Sequence, residues 1–174
     1  MNKIYYKFYI DFNEIDEMQK NEFWNYIFSI TDVFSLRFPK NYKSEEEYDD
    51  YLNRNADLIS NCHKNLLKVY KSNNYFGNTY GGNSSNIYVC KLTGYMRNYI
   101  MKNNNIYLWE EPNYPEDLCL IKGSRLVFYS CSHEFESHLY LDETQINNMP
   151  SKIKQYITNS VRFKFRESEL PKML

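Results

Sequence analysis

Cys131, His133 and Glu134 lie within four consecutive residues and carry the side chains that a small thiol hydrolase would use. A thiolate can attack a carbonyl carbon, while a histidine takes up and returns the proton. Residues two apart on a strand point to the same face, so the thiol and the imidazole would be neighbours there. No catalytic family signature surrounds the pair, however, and a His–Glu sequence also occurs where a strand simply ends. We therefore keep a small hydrolase as the alternative and predict no catalytic residues.

His133 and His138 invite comparison with a zinc site. The zinc-protease pattern H-E-x-x-H places two histidines four positions apart on one helix face. Here His138 follows His133 by five positions, which on a helix turns the second ring about 140° away. On a strand, an odd spacing sends the two rings to opposite faces. The sequence therefore predicts no metal site and no other cofactor.

Adjacent carboxylates at Glu116 and Asp117 have the chemistry for general acid–base catalysis. Neighbouring side chains usually point in different directions, and Pro115 before them is typical of a turn. We instead predict a rigid recognition edge, because acidic and aromatic residues alternate here with two prolines. Such an edge would suit a basic face of a partner protein. Its predicted contact residues are Trp109, Glu110, Glu111, Tyr114, Glu116 and Asp117.

A long loop at 72–86 is the second predicted part of this contact surface, and it holds three of the five glycines. Glycine-rich loops can cradle phosphate, but neither the P-loop pattern nor the dinucleotide-binding pattern is present. We interpret the segment as a long hairpin connection. Its tip, at 74–82, would add aromatic contacts from Tyr75, Phe76 and Tyr80.

Hydrophobic patterns predict the elements that position these residues. Strands are predicted at 3–10, 33–38, 86–92, 118–122, 125–131 and 136–141, with an extended segment at 106–109. The segment 65–71 is predicted as a strand with a continued helix as the alternative, and 161–167 as a last strand or an extended tail. Helices are predicted at 13–30, 45–60 with a break near 53–55, 94–103, and 143–158 with a division at Pro150. The predicted N-caps are Asn13 or Asp11, Ser44, Thr93 and Asp142. Gly123–Ser124 between two apolar runs predicts a type II′ hairpin.

Charge and composition limit the classes of partner. Lys and Arg total 21 against 22 Asp and Glu, whereas nucleic-acid binders usually carry a basic excess. No window approaches the ~18 apolar residues of a membrane span, and the N-terminus lacks the uninterrupted apolar centre of a signal peptide. We predict a cytoplasmic protein that binds neither nucleic acid nor membrane. Its four cysteines, none of them in a C-x-x-C pair, are expected to stay reduced.

The segment 109–134 resembles a loosely defined group of small bacterial proteins that share a W-x-x-P-x-x-P-E-D-L pattern followed by S-H-E. The pattern is carried here by Trp109, Pro112, Pro115, Glu116, Asp117, Leu118, Ser132, His133 and Glu134. Gly77–Asn78–Thr79 also resembles a small turn found upstream in such proteins. Some members of the group resemble immunity proteins that accompany secreted toxins. The resemblance implies a binding role without catalytic residues.

These observations together predict a single α+β domain over residues 1–174, with a mainly antiparallel sheet packed on one face by helices. The abundance of Tyr, Asn, Lys and Ile is typical of an AT-rich genome and suggests a low-GC bacterium or its phage. We predict a protein-binding module, an immunity or inhibitor protein that masks a bacterial toxin or a host-defence factor. A small hydrolase using Cys131, His133 and Glu134, or a phage structural or assembly protein, remains the alternative.

Overall fold

A computed structural model describes residues 3–38, 42, 44–72, 74–75, 78–79, 85–110, 113–158 and 163–171. The strands are β1 Ile4–Tyr9, β2 Val33–Phe38, β3 Leu66–Ser72, β4 Asn74–Tyr75, β5 Asn78–Thr79, β6 Ser85–Lys91, β7 Glu116–Lys122, β8 Arg125–Cys131, β9 Glu136–Asp142 and β10 Phe163–Arg166. The helices are α1 Glu17–Ser29, α2 Glu45–Arg54, α3 Ala56–Lys64, α4 Gly94–Lys102, α5 Glu143–Asn148 and α6 Ser151–Thr158. Short 3₁₀ turns span Ile106–Leu108, Ser132–Glu134 and Glu167–Glu169.

Eight strands form one sheet in the order β10-β1-β9-β8-β7-β2-β6-β3. Every neighbouring pair in it is antiparallel, so the predicted α+β class with a mainly antiparallel sheet is confirmed. The β7–β8 hairpin lies in the middle of the sheet, as expected. Its turn pairs Lys122 with Arg125 around Gly123–Ser124, and Gly123 has φ +61°, the left-handed value that the first position of a type II′ turn requires.

The helices cover one face of the sheet, and each contributes at least one buried side chain to the main core. Trp24 of α1 is one of its largest members and packs against Phe12, Phe23 and Phe128 with ring centroids about 5 Å apart. The contacts with Phe23 and Phe128 are edge-to-face, and such contacts add to the stabilisation from burial alone. The other helices contribute Tyr51, Leu58, Met96, Ile146 and Ile153. Among the described residues, no helix is long and apolar enough to cross a membrane.

The opposite face carries a second apolar cluster to which no described helix contributes. Ile121 and Leu126 lie at its centre, while Tyr70 of β3 and Phe165 of β10 pack on it from the two edges of the sheet. The C-terminal residues fold back over this face, where the Leu126 amide donates to the Pro171 carbonyl at 3.4 Å.

The helix starts follow the sequence, with one change. Ser44, Thr93 and Asp142 cap their helices as predicted, each accepting a hydrogen bond from the third helical amide. Helix α1 is capped by Asp16 instead of the predicted Asp11 or Asn13. Asp11 accepts from the Asn13 amide, so this aspartate holds a turn before the helix.

Two segments near the predicted recognition edge differ from the sequence interpretation. The predicted extended segment at 106–109 is wrong, because Ile106–Leu108 forms a 3₁₀ turn that the Asn105 side chain caps. Strand β7 begins at Glu116, two residues before the predicted start. Glu116 and Asp117 therefore belong to a central strand and not to the turn after Pro115, and Glu116 pairs with Arg37 of β2.

Candidate functional site

A row of four aromatic rings, which we call the aromatic row, runs from α4 to the residue before Pro115. It consists of Tyr95, Tyr99, Trp109 and Tyr114. Tyr95 stacks on Tyr99 at 6.2 Å, Tyr99 meets Trp109 edge-on at 5.7 Å, and Trp109 stacks on Tyr114 at 6.0 Å. The helical spacing of Tyr95 and Tyr99 places both rings on one side of α4. The row thus joins a helix to the irregular segment that follows it.

Asn103 fixes the positions of the last two rings. It follows the last residue of α4, and its backbone carbonyl accepts a hydrogen bond from Trp109 Nε1 at 2.8 Å. Its side-chain oxygen accepts from the Tyr114 hydroxyl at 3.0 Å, and its side-chain nitrogen donates back to the Tyr99 carbonyl. Asn103 therefore links the end of α4 to the side chains of Trp109 and Tyr114.

A cleft of about 210 Å³ opens beside this row. We call it the aromatic cleft, and its lining residues are Lys102, Asn103, Asn104, Asn105, Leu108, Trp109 and Tyr114. Trp109 forms its wall and is only 1% exposed, whereas Leu108 at its lip is 65% exposed. A concave surface with an aromatic wall and a few polar groups is the usual form of a binding site.

Carboxylates lie near both ends of the aromatic row. Glu17 of α1 accepts a hydrogen bond from the Asn104 side chain, and Glu110 follows the wall residue Trp109, half-buried. At the other end, burial and then the nearby Asp57 carboxylate raise the pKa of Tyr95. Lys102 is the one cation among the residues that line the cleft.

The predicted recognition edge is therefore divided by the fold. Glu110 and Tyr114 are half-buried, Trp109 is a wall, and Asp117 is fully buried, so Asp117 is unavailable to a partner in the folded chain. Among the other predicted contacts, Glu111 of the edge, Phe76 and Tyr80 of the loop, and the side chain of Tyr75 lie outside the described residues.

Asp117 belongs to a second charged site, which we call the buried ion cluster. It consists of Arg37 of β2, Glu116 and Asp117 of β7, and Ser85 of β6. Arg37 Nε lies 3.0 Å from Asp117 Oδ2, a second guanidinium nitrogen pairs with Glu116, and a third donates to the Ser85 hydroxyl at 3.2 Å. The Arg37 and Asp117 side chains are 9% and 0% exposed. A buried guanidinium is tolerated only when paired in this way.

A β-bulge explains how two adjacent carboxylates reach the same arginine. The β2–β7 register shifts between Ser35, opposite Cys119, and Arg37, opposite Glu116, so β7 contains one extra residue here. Asp117 has φ +56°, a left-handed conformation that is uncommon for a residue with a side chain. Bulges re-aim side chains next to functional sites. The expectation that neighbouring carboxylates point apart therefore fails at this bulge.

Cys131 and His133 lie next to the buried ion cluster. The sulfur is 3.7 Å from both ring nitrogens of His133, so neither nitrogen lone pair points directly at it. Burial, and then the Asp117 carboxylate, raise the pKa of the Cys131 thiol to about 12. Because the thiolate is the nucleophile, this environment disfavours the hydrolase in which Cys131 would attack a substrate. Glu134 lies 3.9 Å from His133, and both side chains are about half exposed.

The second histidine of the sequence pattern has different surroundings. His138 stacks on Tyr129 at 6.0 Å and lies 3.3 Å from Glu136. Burial, and then the charge of Lys7, lower its pKa. The partner that sequence analysis missed for Cys131 and His133 is thus Asp117. The hairpin register held the signal, since a two-residue turn at Gly123–Ser124 pairs Lys122 with Arg125 and brings Asp117 close to the end of β8.

Comparison with protein-family models, with curated proteins and with solved structures finds no match for this chain.

Proposed function

We propose that this chain is a protein-binding module, an immunity or inhibitor protein that masks a target protein. We propose further that it contacts this target through the aromatic cleft. The observation that supports this proposal most directly is the exposed Leu108 beside the fixed wall of Trp109 and Tyr114. Interfaces concentrate their binding energy in a few aromatic and aliphatic anchors, and a pocket for one partner side chain commonly lies beside them.

The size of the cleft favours a protein over a small molecule. Pockets that enclose drug-sized ligands usually measure about 300–1,000 Å³, and this one has about 210 Å³. Such a volume accommodates one or two side chains of a partner. The asparagine side chains at 103–105 on its floor offer both donors and acceptors, which suits the polar rim of an interface.

The cleft is also held in position before any partner arrives. Trp109 and Tyr114 are each hydrogen-bonded to Asn103, and their rings stack on each other. Binding then orders few new side chains. The conformational entropy cost of immobilising one rotamer-rich side chain, about 0.5–1.5 kcal/mol, is largely avoided at these positions.

We propose that the partner presents a basic face. Glu17, Glu110 and Asp57 surround the aromatic row, and Glu17 is highly exposed. Charges at the rim of an interface steer association and suppress wrong partners more than they add affinity. Binding should therefore weaken moderately, mainly through a slower association rate, as the salt concentration rises.

The test uses Leu108→Arg as bait in a pull-down from the source organism, beside the native chain and Leu67→Arg. Leu67 is 45% exposed and lies on the edge strand β3, which contributes no residue to the cleft, so its replacement adds the same charge to a leucine elsewhere on the surface. We expect one basic protein to be captured by the native chain and by Leu67→Arg but not by Leu108→Arg. The purified partner should bind the native chain at least about 30-fold more tightly than Leu108→Arg, as calorimetry would measure.

Equal capture by Leu108→Arg and the native chain would exclude the aromatic cleft as the contact surface. The immunity role has its own readout, which is survival of cells that express the captured partner. Coexpression of the native chain should restore growth, and Leu108→Arg should not. A partner that causes no growth defect would leave binding intact but contradict the immunity role.

A further inference from the structure

We propose that Asp117, Cys131 and His133 bind a zinc ion through one carboxylate oxygen, the sulfur and one ring nitrogen. This site is distinct from the aromatic cleft and does not depend on the protein-binding role. Among the described residues, this is the group of potential metal ligands whose ligand atoms converge, all lying within 4.8 Å of one another. The three donors are of the types that zinc prefers.

The sulfur–nitrogen distance already approaches that of a tetrahedral zinc site. With Zn–S of about 2.3 Å and Zn–N of about 2.05 Å, sulfur and nitrogen ligands lie about 3.6 Å apart at the tetrahedral angle. Cys131 Sγ is 3.7 Å from each ring nitrogen of His133. A rotation of the imidazole is enough to aim one lone pair at the ion. The His133 side chain is 43% exposed, so it has room to make that rotation.

Regular structure fixes the other two ligands. Asp117 lies at the bulge of β7, and Cys131 ends the neighbouring strand β8. The turn that carries His133 is attached to the core, because the Ser132 hydroxyl donates to the Ile106 carbonyl at 2.9 Å. Ligands on two paired strands and an anchored turn need little reorganisation, and that favours metal affinity.

The charges around the site also suit a divalent ion. Two carboxylates, Glu116 and Asp117, surround the single guanidinium of Arg37, which leaves one negative charge in excess. A zinc ion together with a Cys131 thiolate would make the whole group formally neutral. Neutral groups avoid most of the free energy cost that burial places on a net charge. The Asp117 carboxylate would be oriented by its ion pair with Arg37, and zinc ligands are commonly held by such an outer partner.

Three protein ligands leave the fourth zinc position open. Structural zinc sites in proteins usually have four protein ligands, whereas three ligands with an open position are typical of sites that bind water or a substrate. The exposed edge of His133 places that open position toward solvent. The expectation that the chain binds no metal was based on the spacing of His133 and His138 and on the lack of a close cysteine pair. In the fold, Asp117 and Cys131, and not His138, lie beside His133.

The experiment titrates the metal-free chain with Zn²⁺ and, in parallel, with Co²⁺ as a spectroscopic probe. The key variant is His133→Asn, which changes a half-exposed side chain and preserves the fold. The matched control is His63→Asn, on α3 and stacked on Tyr88. We expect one zinc ion per native chain and per His63→Asn chain. Zinc affinity should fall by more than about 100-fold in His133→Asn, since losing even an outer partner costs 10–100-fold.

Cobalt reports the sulfur directly. The native chain should show a thiolate-to-cobalt charge-transfer band in the near ultraviolet, and Cys131→Ser should lose it. If Cys131→Ser fails to fold, Cys131→Ala replaces it, since it keeps a small apolar side chain in the second apolar cluster, and it should lose the band as well. Zinc binding that is equal in His133→Asn and the native chain, or a cobalt complex without the thiolate band, would overturn the proposal.

Discussion

The aromatic cleft and the buried ion cluster are built in opposite ways, although the segment from Lys102 to Asp117 contributes residues to both. The cleft is assembled from neighbours in the chain, since all its lining residues lie between Lys102 and Tyr114. The ion cluster joins Arg37 to residues 48 and 80 positions away. The first site consists of rings and amides near solvent, and the second consists of charges inside the sheet.

In these two sites, the sequence separation of the contacting residues is related to the solvent exposure of their side chains. A local segment can fold over its own helix and leave one side in solvent, as the 3₁₀ turn at Ile106–Leu108 does with Leu108. Charges inside a sheet must find partners on other strands, because an unpaired buried charge is strongly destabilising. The cleft is therefore suited to contacting a partner, whereas the cluster can be changed only at a large cost in folding stability.

The largest difference between the two regions should appear on replacing Arg37 with methionine. Arg37→Met keeps the volume but leaves Glu116 and Asp117 buried against an apolar side chain. We expect the free energy of unfolding to fall by about 3–5 kcal/mol, as urea denaturation would measure. Arg54→Met, at an exposed position in the last turn of α2, should change it by less than about 0.5 kcal/mol. A loss below about 1 kcal/mol for Arg37→Met would show that the ion pairs of the cluster contribute little to the stability of the fold.

A smaller effect is expected at the wall of the cleft. Trp109→Phe keeps an aromatic ring but removes the hydrogen bond from Nε1 to the Asn103 carbonyl. We expect a loss of about 2 kcal/mol, from the unsatisfied carbonyl and the smaller buried ring. Thermal unfolding of Trp109→Phe, of Tyr114→Phe and of the double variant measures the loss of stability. Because both rings share Asn103, the two changes should not be additive, and strict additivity would contradict a shared anchor.

The free energy of unfolding should also depend on alkaline pH through Tyr99 of the aromatic row. Burial raises the pKa of Tyr99 above its ordinary value of 10.0. The folded chain therefore keeps this proton when the unfolded chain loses it, so the contribution to stability is complete below pH 10 and is lost as the pH rises above it. Tyr99→Phe should change stability by less than about 1 kcal/mol at pH 7. Its unfolding free energy should fall less steeply than that of the native chain above pH 10.

The smallest effect on stability is expected at the lip. Leu108→Ser replaces a side chain that is 65% exposed, so the free energy of unfolding should stay within about 0.5 kcal/mol of the native value. Partner binding should nevertheless be lost, and this separation of stability from binding is the clearest contrast with Arg37→Met. A loss above about 1 kcal/mol would indicate that Leu108 belongs to the core and not to a contact surface.

Local chemistry predicted most of the elements. Ser44, Thr93 and Asp142 were recognisable as caps because a cap requires only its own side chain and the amide three residues later. Pro150 divides α5 from α6 as predicted, since proline cannot donate to the preceding turn. The same kind of argument failed at 106–109, where an apolar run has the composition of a strand but the Asn105 side chain starts a 3₁₀ turn.

The candidate sites were less predictable for a physical reason. Trp109, Glu110 and Tyr114 were selected from composition alone. Composition does not predict which side chain is buried in the wall of a cleft and which is exposed at its edge. Leu108 was missed because a leucine in an apolar run is usually buried. Asp117 was placed in a solvent turn, since the bulge that turns it toward Arg37 depends on how β2 pairs with β7.

The sequence by itself determined the α+β class, the central hairpin at Gly123–Ser124 and the starts of the helices that Ser44, Thr93 and Asp142 cap, because each depends on residues within a few positions of one another. Only the tertiary structure decided that two adjacent carboxylates meet one arginine and that Cys131 and His133 lie beside one of them. Strand register and bulges follow from the pairing of distant segments, and a one-residue shift in that pairing changes which side chains share a face.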